Sequence, residues 1–134
     1  MMKSLKVRDY MSTELVTFVP TDGVMQAMMA LLERGISGAP VVDADSRALV
    51  GMLSEVDLIG VVLQDTYYNE PAGIVADYMQ SEVESVGPDM DILSLAQQFV
   101  RHHRRRYPVL EHGALIGQIS RRDVLRAAMQ FSSD

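Results

Sequence analysis

The chain contains no cysteine, which excludes disulfide bonds, thiol catalysis and thiolate metal sites and fits a cytoplasmic protein. No apolar run approaches the ~18 residues that a membrane helix requires, so no membrane association is expected. The start, Met-Met-Lys-Ser-Leu-Lys, has no hydrophobic signal core, and export is therefore not expected.

Positive charge is missing from a long stretch of the chain. The net charge of -6 argues against general nucleic-acid binding. Residues 48–100 contain no Lys or Arg and nine acidic residues, whereas residues 101–126 contain seven arginines and two acidic residues. The middle of the sequence is therefore acidic, and a basic patch follows it.

The sequence contains an internal repeat. Residues 7–11 (Val-Arg-Asp-Tyr-Met) return as residues 75–79 (Val-Ala-Asp-Tyr-Met), a shift of 68. After two extra residues in the first copy, the shift becomes 66, and Gly-x-x-Ser-x-x-Asp at 51–57 meets the same pattern at 117–123. A repeat of this kind predicts two similar units, each too small for a good core, packed together about a pseudo-twofold axis. We place the repeats at residues 5–65 and 75–130, with residues 66–74 as the linker between them.

Each repeat predicts the order strand, helix, strand, strand, helix, an α/β (α+β) fold. In the first repeat these elements are a strand at 15–18, a helix capped by Thr21 or Asp22 and ended by Gly35, strands at 40–42 and 49–53, and a helix from Ser54 to about residue 63. In the second they are a strand at 83–86, a helix capped by Asp89, strands at 109–110 and 114–119, and a helix from Ser120 to about residue 129.

Methionine is frequent, with ten residues in the chain. Most are expected to fill irregular gaps in the core, a use that suits their flexible side chains. Met25, Met28 and Met29 cover more of one helix than a single core stripe needs. Part of that helix face is therefore a candidate surface for burial against another chain.

The repeated Ser-x-x-Asp pattern has two interpretations. A serine at the start of a helix and an aspartate at its third position form a capping box, which needs no ligand. The same hydroxyl and carboxylate, one turn apart, can hold the two hydroxyls of a ribose, while the helix start favours a nearby anion. The presence of the pattern in both repeats, each time after a strand and a glycine, favours the second interpretation.

The ordered set of motifs resembles tandem CBS domains, the paired unit called a Bateman module. The resemblance spans Leu5 to about Met129 and rests on motifs that occur twice in the same order: Val-x-Asp-Tyr-Met, the Thr17-x-x-Pro20 and Ser85-x-x-Pro88 segments, the two Pro-Val strands and the two Gly-x-x-Ser-x-x-Asp endings. It implies two α/β units with two clefts between them. In this family the clefts bind adenosyl ligands such as AMP, ADP, ATP or S-adenosylmethionine as effectors, and no cofactor is required.

The resemblance also implies which residues line each cleft. Ser54 and Asp57 would hold ribose in one cleft, and Ser120 and Asp123 in the other. Thr17 and Ser85 would lie near the base or sugar. The base pockets would be lined by Ala39, Pro40 and Val41 and by Tyr107, Pro108 and Val109. Tyr107 has two possible roles, stacking on adenine or packing against the neighbouring helix.

The two clefts are not expected to be equal, because the arginines occur only in the second repeat. Arg104, Arg105 and Arg106 precede Tyr107, whereas the matching residues of the first repeat are 36–38 (Ile-Ser-Gly). Arg121 and Arg122 replace Glu55 and Val56. Guanidinium groups suit phosphate oxygens, so the second repeat is predicted to supply the main nucleotide site. The alternative is a solvated helix end, where cations also suit the helix dipole.

Other functions fit the residues less well. Neither a catalytic triad nor a metal site is expected, because His102 and His103 point to different sides of a helix end and no supporting motif occurs. We therefore expect a protein that is not an enzyme. The resemblance to tandem CBS domains implies a regulatory sensor that acts on a separate, unidentified partner protein and forms a homodimer. The alternatives are a structural dimerisation module without a ligand and, further, nucleic-acid binding through the Arg101–Arg106 patch, although nucleic acid is not the expected partner.

Overall fold

The structure is a computed structural model that describes residues 5–68 and 73–132. It contains four helices and two antiparallel hairpins, which confirms the mixed α/β (α+β) fold class. The helices are α1 (Val24–Arg34), α2 (Glu55–Tyr68), α3 (Ile92–His102) and α4 (Arg121–Ser132). The strands are β1 (Gly38–Val42), β2 (Leu49–Ser54), β3 (Arg106–Glu111) and β4 (Ala114–Ser120), paired β1 with β2 and β3 with β4. Short 3₁₀ turns lie at Val7–Asp9 and Val75–Asp77.

The described chain divides into two compact units. The first-sheet unit, residues 16–68 and 73–83, contains β1 and β2, and the second-sheet unit joins residues 5–15 to residues 84–132 around β3 and β4. Each unit has its own apolar core, in which α1 and α2 or α3 and α4 bury one face. The first core centres on Phe18, Val24, Leu31, Val41, Leu53 and Val61, and the second on Val86, Ile92, Leu95, Phe99, Val109 and Ile119.

The opening segment of each repeat packs in the unit that contains the rest of the other repeat. We call residues 5–15 the first lead segment and residues 73–83 the second. Val7 is fully buried in the second-sheet core, and its backbone N–H donates to the carbonyl of Met90 at 3.0 Å. Val75 is fully buried in the first-sheet core, and its N–H donates to the carbonyl of Asp22 at 2.9 Å. The sequence predicts repeats at residues 5–65 and 75–130. The compact units divide the chain differently, because each unit combines the lead segment of one repeat with the rest of the other.

The lead segments explain the glycine of each Gly-x-x-Ser-x-x-Asp pattern. A Cβ atom on Gly117 would lie 3.0 Å from the carbonyl oxygen of Ser12, and one on Gly51 would lie 2.9 Å from that of Gln80. The sulfur atoms of Met11 and Met79 would approach the same Cβ positions more closely still. Only a residue without a side chain admits these contacts, so the glycines are required for docking of the lead segments.

Charged side chains hold the first lead segment at the surface of the second-sheet unit. The Arg8 guanidinium donates to Asp89 Oδ1 at 2.9 Å and to Glu111 Oε2 at 3.3 Å. The bond from Arg8 holds the pKa of the Asp89 carboxyl below its ordinary value. Because the three side chains are 40–62% exposed, solvent screens the pairs, and buried Val7 supplies more of the attachment.

Several element boundaries differ from the prediction. The strands expected at 15–18 and 83–86 are single bridges, Phe18 with Val41 and Val86 with Val109. In the first unit the ladder stops after Phe18 because the N–H of Val19 is bonded to Asp22 Oδ2 and a turn begins at Pro20.

The helix caps and the last turn of α2 also differ. The caps are Gly23 and Asp91, not Thr21 or Asp22 and not Asp89. The Asp22 side chain instead accepts a hydrogen bond from the N–H of Val19, and the Asp89 side chain accepts one from Arg8. Helix α2 continues to Tyr68, so residues 66–68 of the predicted linker are helical, while residues 69–72 lie outside the described part of the chain. Gly35 ends α1 in the left-handed region with φ 63°, as predicted.

Candidate functional site

Each Ser–Asp pair lies where a strand passes directly into a helix. Strand β2 ends at Ser54 and α2 begins at the next residue, and β4 ends at Ser120 immediately before α4. The aspartates, Asp57 and Asp123, occupy the third position of their helices. The two pairs are therefore built in the same way, as the repeat predicts.

One carboxylate oxygen of each aspartate is used by its serine. Asp57 Oδ2 accepts from the N–H of Ser54 at 2.8 Å and from its hydroxyl at 3.0 Å. Asp123 Oδ2 accepts from the N–H of Ser120 at 2.8 Å and from its hydroxyl at 3.1 Å. The N–H of Asp123 also donates to Ser120 Oγ at 3.3 Å, so the second pair has the reciprocal bonds of a capping box.

The second oxygen of each aspartate has a different neighbour in the two units. Asp57 Oδ1 accepts from the side-chain amide of Gln80 at 3.0 Å, whereas Asp123 Oδ1 accepts from the Arg126 guanidinium. Sequence reasoning missed both partners. The Gln80 contact depends on how the second lead segment packs, whereas Arg126 lies three residues after Asp123 on α4, a spacing that could have indicated the contact. A carboxylate oxygen can accept two hydrogen bonds, so Oδ1 keeps a lone pair for a further hydroxyl donor in both units. The capping bonds and a role in ribose binding are therefore compatible.

Strand alternation separates the side chains that face each core from those that do not. In the second hairpin Arg106 pairs with Ser120 and Pro108 with Gln118, and these four residues share the face away from the core. Tyr107, Val109 and Ile119 face the core and are almost fully buried. In the first hairpin the matching non-core residues are Gly38, Pro40, Met52 and Ser54, while Ala39 and Val41 are core residues. Ala39, Val41, Tyr107 and Val109 can therefore border a ligand only through their main chain.

Tyr107 packs in the core. Its ring lies 4.9 Å from that of Phe99, centroid to centroid, and only 1% of the residue is exposed. Its hydroxyl donates to the carbonyl of Gln98 at 3.4 Å, and burial raises the pKa of the phenol. Of the two roles considered for this ring, the structure shows packing against helix α3.

Gln118 is a polar residue of the non-core face that the motif does not identify. Its side-chain Oε1 is buried and accepts no hydrogen bond from any residue that the structure describes. It lies two positions before Ser120, on the same face of β4, and the matching residue of the first hairpin is Met52. A buried acceptor without a donor is costly, and the first hairpin has no such acceptor because Met52 stands at the matching position.

Thr17 and Ser85 immediately precede the bridge residues Phe18 and Val86. Because the bridge side chains enter the cores, an extended backbone directs Thr17 and Ser85 toward the non-core faces. Thr17 is half-buried and Ser85 is exposed. Each unit thus brings its predicted hydroxyl residue to the side that carries its Ser–Asp pair.

The predicted arginines all lie in the second-sheet unit but have different surroundings. Arg104 forms an exposed ion pair with Glu84, with nitrogen and oxygen 2.8 Å apart. The carbonyl of Arg105 accepts from the N–H of Arg121 at 3.3 Å, so the run after α3 lies beside the start of α4. The side chains of Arg105, Arg121 and Arg122 are exposed, and that of Arg106 is half-buried. The structure thus brings the two groups of arginines together near the second Ser–Asp pair.

Two further kinds of site are absent from residues 5–68 and 73–132. No three or more histidine, aspartate or glutamate side chains in these ranges are placed to hold a metal ion. No helix in the same ranges has the length and apolar character needed to cross a membrane.

Comparison with known proteins places the chain in a family. The family model of the CBS domain matches residues 7–64 and 75–130. The chain therefore belongs to the CBS domain family, and the resemblance seen in its motifs is confirmed.

Solved structures agree with this assignment. The CBS-pair protein CBSX2 from Arabidopsis thaliana superimposes with a TM-score of 0.85 at 29% identity, covering 98% of this chain and 99% of CBSX2. A structure of CBSX2 in complex with AMP gives a TM-score of 0.84 at 30% identity, covering 96% and 99%. The CBS domain pair of MJ0100, in complex with 5'-methylthioadenosine and S-adenosyl-L-methionine, has a TM-score of 0.75 at 21% identity, covers 92% and 98%, and shows the shared fold alone.

A longer relative shares the same region of sequence. The A-adding tRNA nucleotidyltransferase of Aquifex aeolicus (strain VF5) is 29% identical over 126 residues, which is 94% of this chain but 15% of the enzyme. A second curated relative is matched over 41% of its length. The chain therefore spans less than half the length of these two relatives.

Proposed function

We propose that the protein is a regulatory sensor that binds an adenosyl nucleotide and acts on a separate partner protein. The observation that carries the proposal is the duplicated Ser–Asp pair, in which each aspartate retains acceptor capacity at the start of a helix. The AMP complex of CBSX2 supports AMP as the first ligand to test. S-adenosylmethionine is the second, because CBS proteins include binders of that compound.

The proposal extends to the residues around each pair. Ser54 and Asp57 bind ribose in one site and Ser120 and Asp123 in the other, with Thr17 and Ser85 beside the sugar or base. The main chain of 39–41 and of 107–109 borders the base. No catalytic group is assigned, since these residues supply only binding contacts. We further propose a cytoplasmic homodimer, because the cysteine-free composition suits a reducing compartment and the helices expose apolar side chains.

Thermal unfolding with and without AMP, ADP, ATP and S-adenosylmethionine tests the proposal. A nucleoside without adenine serves as the control for nonspecific stabilisation. A panel in which no adenosyl compound raises the Tm contradicts a sensor of this class and favours a structural module.

Arginine substitutions test whether the second-sheet unit supplies the main site. Arg105→Ala and Arg122→Ala are each expected to weaken ATP and ADP binding about tenfold, because a guanidinium bond to a phosphate oxygen is charge-assisted. The affinity for adenosine, which has no phosphate, is expected to fall much less. Isothermal titration measures the affinities, with Arg47→Ala in the first hairpin turn as the control. Unchanged affinity for every nucleotide contradicts the assignment.

Gln118→Met tests the buried acceptor, since methionine is the matching residue of the first hairpin. AMP affinity is expected to fall roughly threefold to tenfold if Oε1 accepts an N–H from the ligand. The ligand-free protein should unfold at the same or higher denaturant concentration, because an unsatisfied buried acceptor has been removed. Met52→Gln is the matched control. Lower ligand-free stability with unchanged AMP affinity would show that Oε1 has a structural partner instead.

A further inference from the structure

The second lead segment adds a side chain to the first Ser–Asp pair. Gln80 forms an antiparallel bridge with Met52 of β2, in which each backbone N–H donates to the carbonyl of the other residue, at 2.8 and 2.9 Å. Side chains directly opposite each other in such a bridge lie on the same face, and Met52 shares the face away from the core with Ser54. Gln80 therefore lies on the face that carries the Ser–Asp pair.

The contact with Asp57 fixes the orientation of the Gln80 amide. The side-chain nitrogen of Gln80 donates to Asp57 Oδ1 at 3.0 Å. An ionised carboxylate only accepts hydrogen bonds, so the amide nitrogen, and not the amide oxygen, has to face Asp57. The oxygen, Oε1, is bonded to the same carbon as this nitrogen, and the residue is exposed. Gln80 thus holds the carboxylate in place and presents an acceptor beside it.

The hydrogen bonds of Asp57 decide where a ligand hydroxyl can donate. A carboxylate has about four lone-pair positions. The N–H and the hydroxyl of Ser54 use both positions of Oδ2, at 2.8 and 3.0 Å, and Gln80 uses one position of Oδ1. The remaining position belongs to Oδ1, the oxygen in contact with Gln80. A hydroxyl that donates to Asp57 therefore lies next to the Gln80 amide, and the adjacent hydroxyl of a ribose then meets Oε1.

The second-sheet unit has no equivalent of this amide. Along the shift of 68, Gln80 meets Ser12, which forms the matching bridge to β4. The Ser12 hydroxyl donates to a carbonyl of its own segment at 3.5 Å, and Asp123 Oδ1 accepts from Arg126 instead. A guanidinium has donors only. The two Ser–Asp pairs thus have the same motif and different neighbours.

We propose that Gln80 is a ligand-binding residue of the first-sheet unit and makes this site selective for a nucleotide that carries both ribose hydroxyls. One hydroxyl donates to Asp57 Oδ1 and the other to Gln80 Oε1. A site that hydrogen-bonds a hydroxyl discriminates against an analogue without it, because the site's own polar group is then left without a partner. Since Gln80 belongs to the second lead segment, the bound nucleotide also links that segment to α2. The inference rests on the nucleotide binding proposed above and adds a residue outside the repeated motifs.

Deoxynucleotides test the assignment in the full-length Asp123→Asn protein, in which the second Ser–Asp pair is disabled. Isothermal titration is expected to show that 2'-deoxy-AMP and 3'-deoxy-AMP each bind about threefold to tenfold more weakly than AMP. Adding Gln80→Ser, which copies the residue of the first lead segment, should lower the AMP affinity by a similar factor. One of the two deoxynucleotides should then bind as well as AMP, because the hydroxyl that it lacks no longer has an acceptor.

Further variants separate a binding role from a structural one. Gln80→Met keeps the length of the side chain and should act like Gln80→Ser, whereas Ser81→Ala, at the next exposed residue, should leave every affinity ratio unchanged. All three variants are expected to unfold without ligand at the denaturant concentration of their parent, because buried Val75 and the backbone bonds to Met52 still hold the lead segment.

The outcomes distinguish this inference from the proposed function. Discrimination against both deoxynucleotides that persists without Gln80 overturns the inference and assigns the second hydroxyl to another acceptor, such as Ser54 Oγ. Loss of all AMP binding in Asp123→Asn also overturns it, since the first-sheet unit then holds no nucleotide. A wild-type protein whose Tm no adenosyl compound raises contradicts the proposed function itself.

Hydrogen exchange measures the link to the second lead segment. Saturating AMP is expected to slow exchange in residues 73–83 of the Asp123→Asn protein, and Gln80→Ser should remove most of that protection at equal saturation. Protection that does not depend on Gln80 contradicts the link.

Discussion

Asp123→Asn is expected to remove most of the stabilisation that AMP gives the wild-type protein. AMP at about 100 times its dissociation constant adds ~2.7 kcal/mol to the free energy of unfolding, a rise in Tm of roughly 10 °C for a domain of this size. In the variant, the amide oxygen can still accept from the N–H of Ser120. The amide nitrogen then faces the position of Arg126 and offers no acceptor to a ribose hydroxyl. AMP affinity should fall at least about tenfold.

The same measurement on other aspartates assigns the effect to a site. Asp57→Asn reports on the first-sheet unit and is expected to reduce the AMP shift less, because the arginines lie with Asp123. Asp45→Asn, in an exposed turn, is the control for loss of charge. Denaturant unfolding without AMP shows whether each variant still folds. A folded Asp123→Asn protein that keeps the full AMP shift would limit this Ser–Asp pair to capping α4.

Val7→Asp is expected to destabilise the second-sheet unit, and Val75→Asp the first-sheet unit. Each variant thus affects the unit that contains the rest of the other repeat. Each substitution puts a carboxylate where a fully buried valine stood. The cost in unfolding free energy is about 3 kcal/mol or more, from lost apolar burial and from desolvation of the charge. The lead segment should detach, because detachment returns the carboxylate to water. Hydrogen exchange should then rise in residues 84–132 for Val7→Asp and in residues 16–68 for Val75→Asp.

Matched controls make this result specific to the core positions. Thr13→Asp and Ser81→Asp add the same charge at exposed, equivalent positions of the two lead segments and should leave exchange unchanged. Exchange that rises instead in residues 16–68 for Val7→Asp and in residues 84–132 for Val75→Asp would contradict the exchanged packing of the lead segments.

Local patterns in the sequence were enough for the four helices, the two hairpins and the Ser–Asp pairs. Helical spacing located α1 and α3, the serines at residues 54 and 120 located the starts of α2 and α4, and the glycine at residue 35 located the end of α1. The pattern Ser-x-x-Asp identified both strand–helix junctions because its geometry lies within four consecutive residues. These features depend on neighbours in sequence, so one chain is sufficient to predict them.

Features that depend on distant packing were not predictable in this way. The two lead segments have nearly the same residues, so composition does not decide which core receives Val7 and which receives Val75. Asp89 is a good helix cap in isolation, but its carboxylate accepts a hydrogen bond from Arg8, 81 residues away in sequence. Tyr107 is an aromatic residue next to a predicted pocket, and only the strand register shows that its ring faces the core. The partner of Asp57, Gln80, lies 23 residues away in sequence and is likewise set by the fold around the motif.

The exchanged lead segments bear on how such a chain can be divided or can arise. A cut between the repeats leaves two fragments. Each fragment carries the lead segment that completes the core of the other fragment and lacks the lead segment that completes its own core. The fragments should therefore recover a stable fold on mixing more readily than apart. A chain with a single repeat would also lack the lead segment that completes its core. Two copies of such a chain could complete both cores by exchanging lead segments. Duplication within one chain makes the exchange of lead segments intramolecular. Completion of the two cores then no longer depends on protein concentration.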